Sequence, residues 1–228
     1  MFGDTARNNL GWIERQLVRR GIRDERVLAA FARVPRAPFA PPNLRHKALL
    51  DAPIPIGCGQ TVSQPYVIAL SLAALALQGS ERVLDVGTGS GYQAVLLSYL
   101  AREVYSVEIH HRLLMSARLV IADTAKAPVH TTLGDGSLGW PEEAPFDAIV
   151  SGACAPRLPP ALVEQLAPGG RLVLPIGREK AQGLYLIRKT PGGALEKKLL
   201  ERVLFVPLLG EEGTGDYPDD MPRPPRQG

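Results

Sequence analysis

The chain has 228 residues, 45% of them hydrophobic and 21% charged, with a net charge of +3. That balance describes an ordinary globular protein, long enough to bury a full core in one large domain or two small ones. It excludes a disulfide scaffold, since two cysteines suit a reducing, cytoplasmic setting; no run reaches the roughly 20 apolar residues of a membrane span, and the scattered basic residues argue against a dedicated nucleic-acid surface.

Met1 to Asn9 lacks the apolar stretch of a signal peptide. Leu10, Ile13, Leu17 and Val18 then recur at helical spacing with Gly21 as a C-cap, and Val27, Leu28 and Phe31 mark a second helix closed by Val34-Pro35-Arg36. Together they read as an N-terminal helical cap. Residues 51–62, rich in proline and glycine, read as a loop. A helix opens at Ser63-Gln64-Pro65, with Ser63 as its N-cap, and runs to about Leu77.

Strands and helices then alternate. Strands are expected at Arg82–Val86, Val104–Ile109, Val129–Leu133, Phe146–Val150 and Gly170–Leu174, with helices at Tyr92–Leu100, Leu113–Ala125 and Pro160–Leu166. Leu184–Arg188 and Leu199–Val206, joined through Pro191-Gly192-Gly193, predict an antiparallel hairpin at one edge. The pattern specifies an α/β fold: a Rossmann-like, mostly parallel seven-stranded sheet with helices on both faces. The expected organisation is a cap and substrate loop over 1–62, a core over 63–209 continuous with it, and a mobile tail over 210–228 rich in glycine, proline and acid.

The strongest chemical signal is Leu84-Asp85-Val86-Gly87-Thr88-Gly89-Ser90-Gly91-Tyr92, a buried strand running through a glycine turn into a helix. A dinucleotide site places its third glycine where Tyr92 stands, so a pyrophosphate on the helix N-terminus is disfavoured. Asp85 suits a cationic ligand better than a phosphate. S-adenosylmethionine, with its ammonium, sulfonium and ribose diol, is such a ligand. Glu108 ends the next strand, where an acid meets a ribose, and Gly134-Asp135-Gly136 follows the third, with Asp135 placed to accept from an adenine amino group. Asp85, Gly87, Thr88, Gly89, Ser90, Gly91, Glu108, Gly134, Asp135 and Gly136 are therefore the candidate donor site of a class I methyltransferase. His46, His110, His111 and His130 lack the spacing of a metal site, and none is expected. Cys58 and Cys154 read as small buried residues rather than nucleophiles.

The acceptor is addressed by Pro55-Ile56-Gly57-Cys58-Gly59-Gln60-Thr61-Val62-Ser63-Gln64-Pro65. This stretch resembles the substrate loop of the protein-L-isoaspartate (D-aspartate) O-methyltransferase family. The resemblance extends to Val34-Pro35-Arg36, His46-Lys47-Ala48, the glycine motif, Ala144-Pro145-Phe146-Asp147-Ala148-Ile149 and Val203-Leu204-Phe205-Val206-Pro207-Leu208, covering about residues 10–209. It implies a repair enzyme that methylates the free carboxylate of L-isoaspartyl and D-aspartyl residues in damaged proteins, working as a monomer without nucleic acid or membrane. By motif position it implies Ser63 as the active-site serine, and Ile56, Gln60, Thr61, Val62, Ser63, Tyr66 and His46 around the acceptor. A carboxylate is already a nucleophile at neutral pH, so neutral hydroxyls that hold it without a tight ion pair suit the task. The alternatives are a class I methyltransferase acting on RNA or a small molecule, and a donor-binding protein without activity. Against the first, the turn after the fourth strand is Ser151-Gly152-Ala153-Cys154, not the Asn/Asp-Pro-Pro-aromatic turn of a base methylase.

Overall fold

The computed structural model describes residues 11–218 and 221. Leu10, the residues before it and most of the chain beyond 218 therefore lie outside the described residues. The N-terminal cap begins with helix α1 (residues 11–16), continues through a 3₁₀ turn at Val18–Arg20 that ends on Gly21 at φ 99°, and is followed by α2 (Glu25–Arg33). Asp24 caps α2, its side chain accepting from the Val27 amide at 3.0 Å.

The expected loop over 51–62 is instead a small antiparallel hairpin, β1 (Ile54–Gly57) against β2 (Gln60–Val62). Gly57, Cys58 and Gly59 turn it with φ of 98°, 52° and 69°. Helix α3 (Pro65–Leu75) follows, two residues shorter than expected because Ala76 takes a left-handed conformation. Its N-cap is Gln64, with Pro65 at the first helical position and no side-chain cap. Ser63 stands one residue further out, so it is not the N-cap.

The core is a seven-stranded sheet in the order β5-β4-β3-β6-β7-β8-β9. Strands β3 (Arg82–Val86), β4 (Glu103–Glu108), β5 (Val129–Leu133), β6 (Phe146–Ser151) and β7 (Leu166–Arg178) are parallel. β8 (Ala181–Lys189) and β9 (Leu195–Val203) complete the sheet antiparallel, with β9 at the edge. Between them lie α4 (Tyr92–Ser98), α5 (His111–Thr124) and α6 (Pro160–Glu164). β7 is much longer than the expected strand, running through Pro168-Gly169-Gly170.

Alternation along β3 assigns the two faces. Val83, Val104 and Val150 pack with α3, α4 and the cap, whereas Leu84, Val86 and Val107 pack under Leu162, Phe146 and Leu208. The second face is thus covered by one short helix and the C-terminal chain rather than by a full helical layer. The cap shares its core with the sheet. Tyr92, fully buried, meets Phe31 edge-on at 6.1 Å and Phe39 at 5.1 Å between ring centroids. Here bulk at the third-glycine position joins the cap to the glycine turn. Residues 210–218, expected to be mobile, fold back onto Asp135 and Ser137.

Candidate active site

The glycine turn lies at the carboxyl end of β3, beside the ends of β4 and β6, where open α/β sheets bind ligands. Gly87, Gly89 and Gly91 have φ of 90°, 55° and 85°. A Cβ on Gly87 would meet nothing within 4 Å, leaving its backbone open to a ligand, whereas one on Gly91 would lie 2.9 Å from Ile121. Gly91 therefore permits helix packing; Gly87 permits approach.

A cavity of about 60 Å³ is bordered by Gly87, Gly89, Glu108 and Gly136, with Gln60 and Thr61 of the hairpin opposite. Glu108, 4% exposed, accepts from the Gly89 amide at 2.7 Å and the His110 amide at 2.9 Å. Burial raises its carboxyl, and these N–H groups oppose that rise. Among the described residues, no lysine or arginine borders the cavity. A buried acid, open glycine backbone and no cation fit a cationic ligand carrying a diol and leave a pyrophosphate without a counter-charge.

Asp85, Thr88, Ser90, Gly91, Gly134 and Asp135 do not border this cavity. Asp85 points away from it, completely buried, accepting from Gln93 Nε2 and Ser106 Oγ at 2.8 Å each. Burial pushes its carboxyl up to about 6, those two bonds pull it down, and Glu108 raises it further. Ser106 Oγ also lies 2.7 Å from Thr88 Oγ1. Asp85 thus braces the glycine turn from behind. Asp135 accepts from the Ser137 amide at 2.9 Å and from Tyr217 at 2.7 Å, facing the C-terminal chain. Ile109, His110, Gly152, Leu208 and Leu209 also border the cavity; sequence reasoning assigned none of them to the donor, although Gly152 and Leu208 stand in stretches it singled out on other grounds.

A second, open cavity of about 840 Å³ lies on the other side of the hairpin, bordered by Thr61, Ser63 and Tyr66, and by β8 and β9. Thr61 borders both cavities, as does Val206. Gln60 Nε2 lies 3.5 Å from His110 Nε2, bringing the hairpin against the end of β4. Ile56 lies over the turn, its Cδ1 3.5 Å from where a Cβ on Gly89 would be. Val62 is buried in the core. His46 is exposed and borders neither cavity. Cys58 is exposed in the hairpin turn, against expectation, because the two-residue turn Cys58-Gly59 at the tip has no core to enter.

Two residues that sequence reasoning left without a role hold the hairpin. Arg36, 3% exposed, donates to the carbonyls of Ala48, Leu50, Ala52, Val62 and Ser63 at 2.9–3.3 Å. Burial lowers its pKa, and the Asp51 carboxylate opposes this. Asp51 accepts from Gln64 Nε2 at 2.6 Å and from the Tyr66 amide at 3.1 Å, and pairs with Arg20. The Arg20 guanidinium stacks 3.5 Å over the Tyr66 ring. No local pattern marks an isolated arginine between prolines as a five-carbonyl anchor.

The sheet, the glycine turn and the acid at the end of β4 define a class I S-adenosylmethionine-dependent methyltransferase. The family model for protein-L-isoaspartate(D-aspartate) O-methyltransferase matches residues 8–213. The protein-L-isoaspartate O-methyltransferase of Myxococcus xanthus (strain DK1622) is 53% identical over 198 residues, covering 86% of this chain and 93% of that protein. That of Anaeromyxobacter dehalogenans (strain 2CP-C) is 55% identical over 190 residues, covering 82% and 91%. A Plasmodium falciparum protein of the same methyltransferase class, solved with S-adenosyl-L-homocysteine, superposes with a TM-score of 0.76 at 30% identity, covering 88% of this chain and 98% of that one. The chain belongs to the protein-L-isoaspartate(D-aspartate) O-methyltransferase family.

Proposed function

We propose that the chain methylates the free carboxylate of L-isoaspartyl and D-aspartyl residues in damaged proteins, using S-adenosylmethionine, with Ser63 holding the acceptor. The observation that carries this reading is the place of Thr61, bordering a small acid-lined cavity on one side and a large open cavity with Ser63 and Tyr66 on the other.

When bound, the donor supplies an electrophilic methyl group on a sulfonium. Gly87, Gly89 and Gly136 would hold it through backbone approach, and Glu108 through its carboxylate. Asp85 fixes the turn from behind. Ligand pockets run to roughly 300–1,000 Å³, so the 60 Å³ cavity accounts for only part of the donor's envelope. On the acceptor side, the hydroxyls of Thr61 and Ser63 can orient a carboxylate toward the junction. The carboxylate attacks without a general base, because it is ionised at neutral pH. The open cavity admits a polypeptide segment, as a protein substrate demands.

A thiol-dependent base methylase is disfavoured by Cys154. Burial pushes its thiol up to about 11, and its Sγ faces the carbonyls of Ala155 and Gly177. Both cysteines are free, which suits a reducing, cytoplasmic setting. The test is methyl transfer to paired peptides differing only in Asp or isoAsp. Base-labile incorporation into the isoAsp peptide alone is expected; equal labelling of both, or labelling of RNA instead, contradicts the proposal.

A further inference from the structure

Leu204 is 73% exposed, although it stands in the apolar run Val203-Leu204-Phe205-Val206-Pro207 that leaves the end of β9. With Phe205 and Gln182 it borders the acceptor cavity on one side. The same three residues border a further cavity of about 580 Å³ on the other. Pro156 and Pro207 help to close that cavity, and Arg178 and Glu179 border it at the turn between β7 and β8. None of the groups assigned to methyl transfer borders it, among the described residues. Its volume falls in the range of roughly 300–1,000 Å³ that ligand sites occupy.

The ridge between the two cavities is held in place. Gln182 Oε1 accepts from the Phe205 amide at 2.6 Å, and Gln182 Nε2 donates to the Phe205 carbonyl at 3.3 Å and the Glu179 carbonyl at 3.0 Å. One side chain thus takes over the backbone pairing that β9 stops providing. Further along, the Cys154 amide donates to the Val206 carbonyl and the Leu208 amide to the Cys154 carbonyl, each at 2.8 Å. The backbone that carries Leu204 is therefore fixed, while its side chain stays uncovered. A single exposed leucine would be ordinary. Leu204 is not single. Leu199, 49% exposed, and Val203 precede it along the acceptor cavity, and Phe205, Pro207 and Pro156 continue the apolar strip into the second. Arg178 and Glu179 carry opposite charges, so the second cavity favours neither sign.

We infer that the cavity behind Leu204 is a distal subsite of the acceptor groove, which takes one large apolar side chain of the polypeptide being methylated. Leu204, Phe205, Pro156 and Pro207 form its apolar walls. The inference rests on the acceptor reading given above. Val206 borders the donor and acceptor cavities alike and so marks the reaction junction. An extended chain advances about 3.3 Å per residue, so Leu204, two residues before Val206, stands at most about 7 Å from the junction, and a side chain two to four residues from the isoaspartyl group reaches past it. The subsite gives the protein a preference among damaged polypeptides that the reacting carboxylate alone cannot supply.

The test is steady-state methyl transfer by the full-length chain to a set of isoAsp peptides. Each has alanine flanks except for one leucine, moved from four residues before the isoaspartyl group to four residues after it. Leucine at one or two positions, two to four residues away on one side, should lower the peptide KM about tenfold relative to the all-alanine peptide, with kcat within about twofold. Two variants then locate the effect. Leu204→Asp charges the ridge at an exposed position, and Pro156→Trp fills the distal cavity from a residue that does not border the acceptor cavity. Each should cut the advantage of leucine to less than about twofold. A KM indifferent to the leucine at every position would overturn the inference, as would an advantage that survives both variants. An advantage that appears only once residues 219–228 are removed would give the cavity to the chain's own end and would also overturn it. Equal methylation of all the isoAsp peptides removes the subsite and leaves the repair reading standing; methylation of none removes both.

Discussion

The two cavities on either side of Thr61 are built by different means. The donor side is assembled at the ends of parallel strands from short, contiguous motifs, and it is small and bordered by one buried acid, Glu108. The acceptor side is assembled from a hairpin, the start of α3 and the antiparallel β8–β9 pair, and it is large and open. A small donor of fixed shape suits a cavity whose backbone is preset by glycines and braced by a buried carboxylate. A polypeptide of variable sequence suits a wide groove that offers charged groups, Arg20, Lys180, Glu201 and Arg202, beside the neutral hydroxyls of Thr61 and Ser63. The hairpin belongs to both sides, so its anchoring by Arg36 and Asp51 couples them.

The largest effect that would break this contrast is expected at Gly89. Gly89→Val places a β-branched residue at φ 55° with its Cβ 3.5 Å from Ile56. Loss of S-adenosylhomocysteine affinity beyond about 100-fold is expected by calorimetry, corresponding to roughly 2.7 kcal/mol; unchanged affinity would show that no ligand approaches this turn.

Asp85 gives a smaller effect of a different kind. Its carboxyl sits near 6 in the fold against an ordinary 3.8, so the folded state holds the extra proton between those values. Stability is therefore fully present below about pH 4 and falls by roughly 3 kcal/mol as pH rises to about 6. Asp85→Asn removes that titration. The unfolding free energy of wild type minus variant, from urea melts, should fall across the window; a flat difference would mean that Asp85 is not the brace described. Donor affinity should drop less than for Gly89→Val, because Asp85 acts only through the turn.

The smallest effect concerns the thiols. Cys58 lies exposed at the hairpin tip and Cys154 under the sheet end. Ester formation by a carboxylate needs neither, so the double variant Cys58→Ser, Cys154→Ser should keep its rate within about threefold. A loss beyond 100-fold in a folded variant would demand covalent chemistry.

The strand-turn-helix order of the donor side was legible in the sequence, although of the ten candidate residues Gly87, Gly89, Glu108 and Gly136 border the cavity and the other six do not; the hairpin of the acceptor side was not legible. The β3 and β5 boundaries match the expected ones: β3 is a buried stretch that ends in the glycine turn, and β5 is a half-exposed edge strand rich in β-branched residues and bounded by Pro128 and Gly134. Even there, motif membership did not separate Gly87, which faces the cavity, from Gly91, which packs on Ile121. The β1–β2 hairpin was hidden because Pro53, Pro55, Gly57 and Gly59 read as breakers; an isolated two-stranded ribbon tolerates them. β9 was displaced because Leu195–Val203 is mostly exposed and lacks clean alternation. The segment after Gly210 has no core-forming residues, yet it is held by backbone N–H groups, which every sequence carries and no composition reveals.

Ser63 tests the division between the two sides most directly, since it borders the acceptor cavity and not the donor cavity. Ser63→Ala and Ser63→Asp should each bind S-adenosylhomocysteine within about twofold of wild type. Methyl transfer to an isoAsp peptide should fall about ten- to a hundredfold in the alanine variant, the cost of one hydrogen bond to a charged group, and further in the aspartate variant, which repels the incoming carboxylate. A folded Ser63→Asp enzyme with full activity toward the isoAsp peptide would contradict the placement of the acceptor carboxylate at this residue.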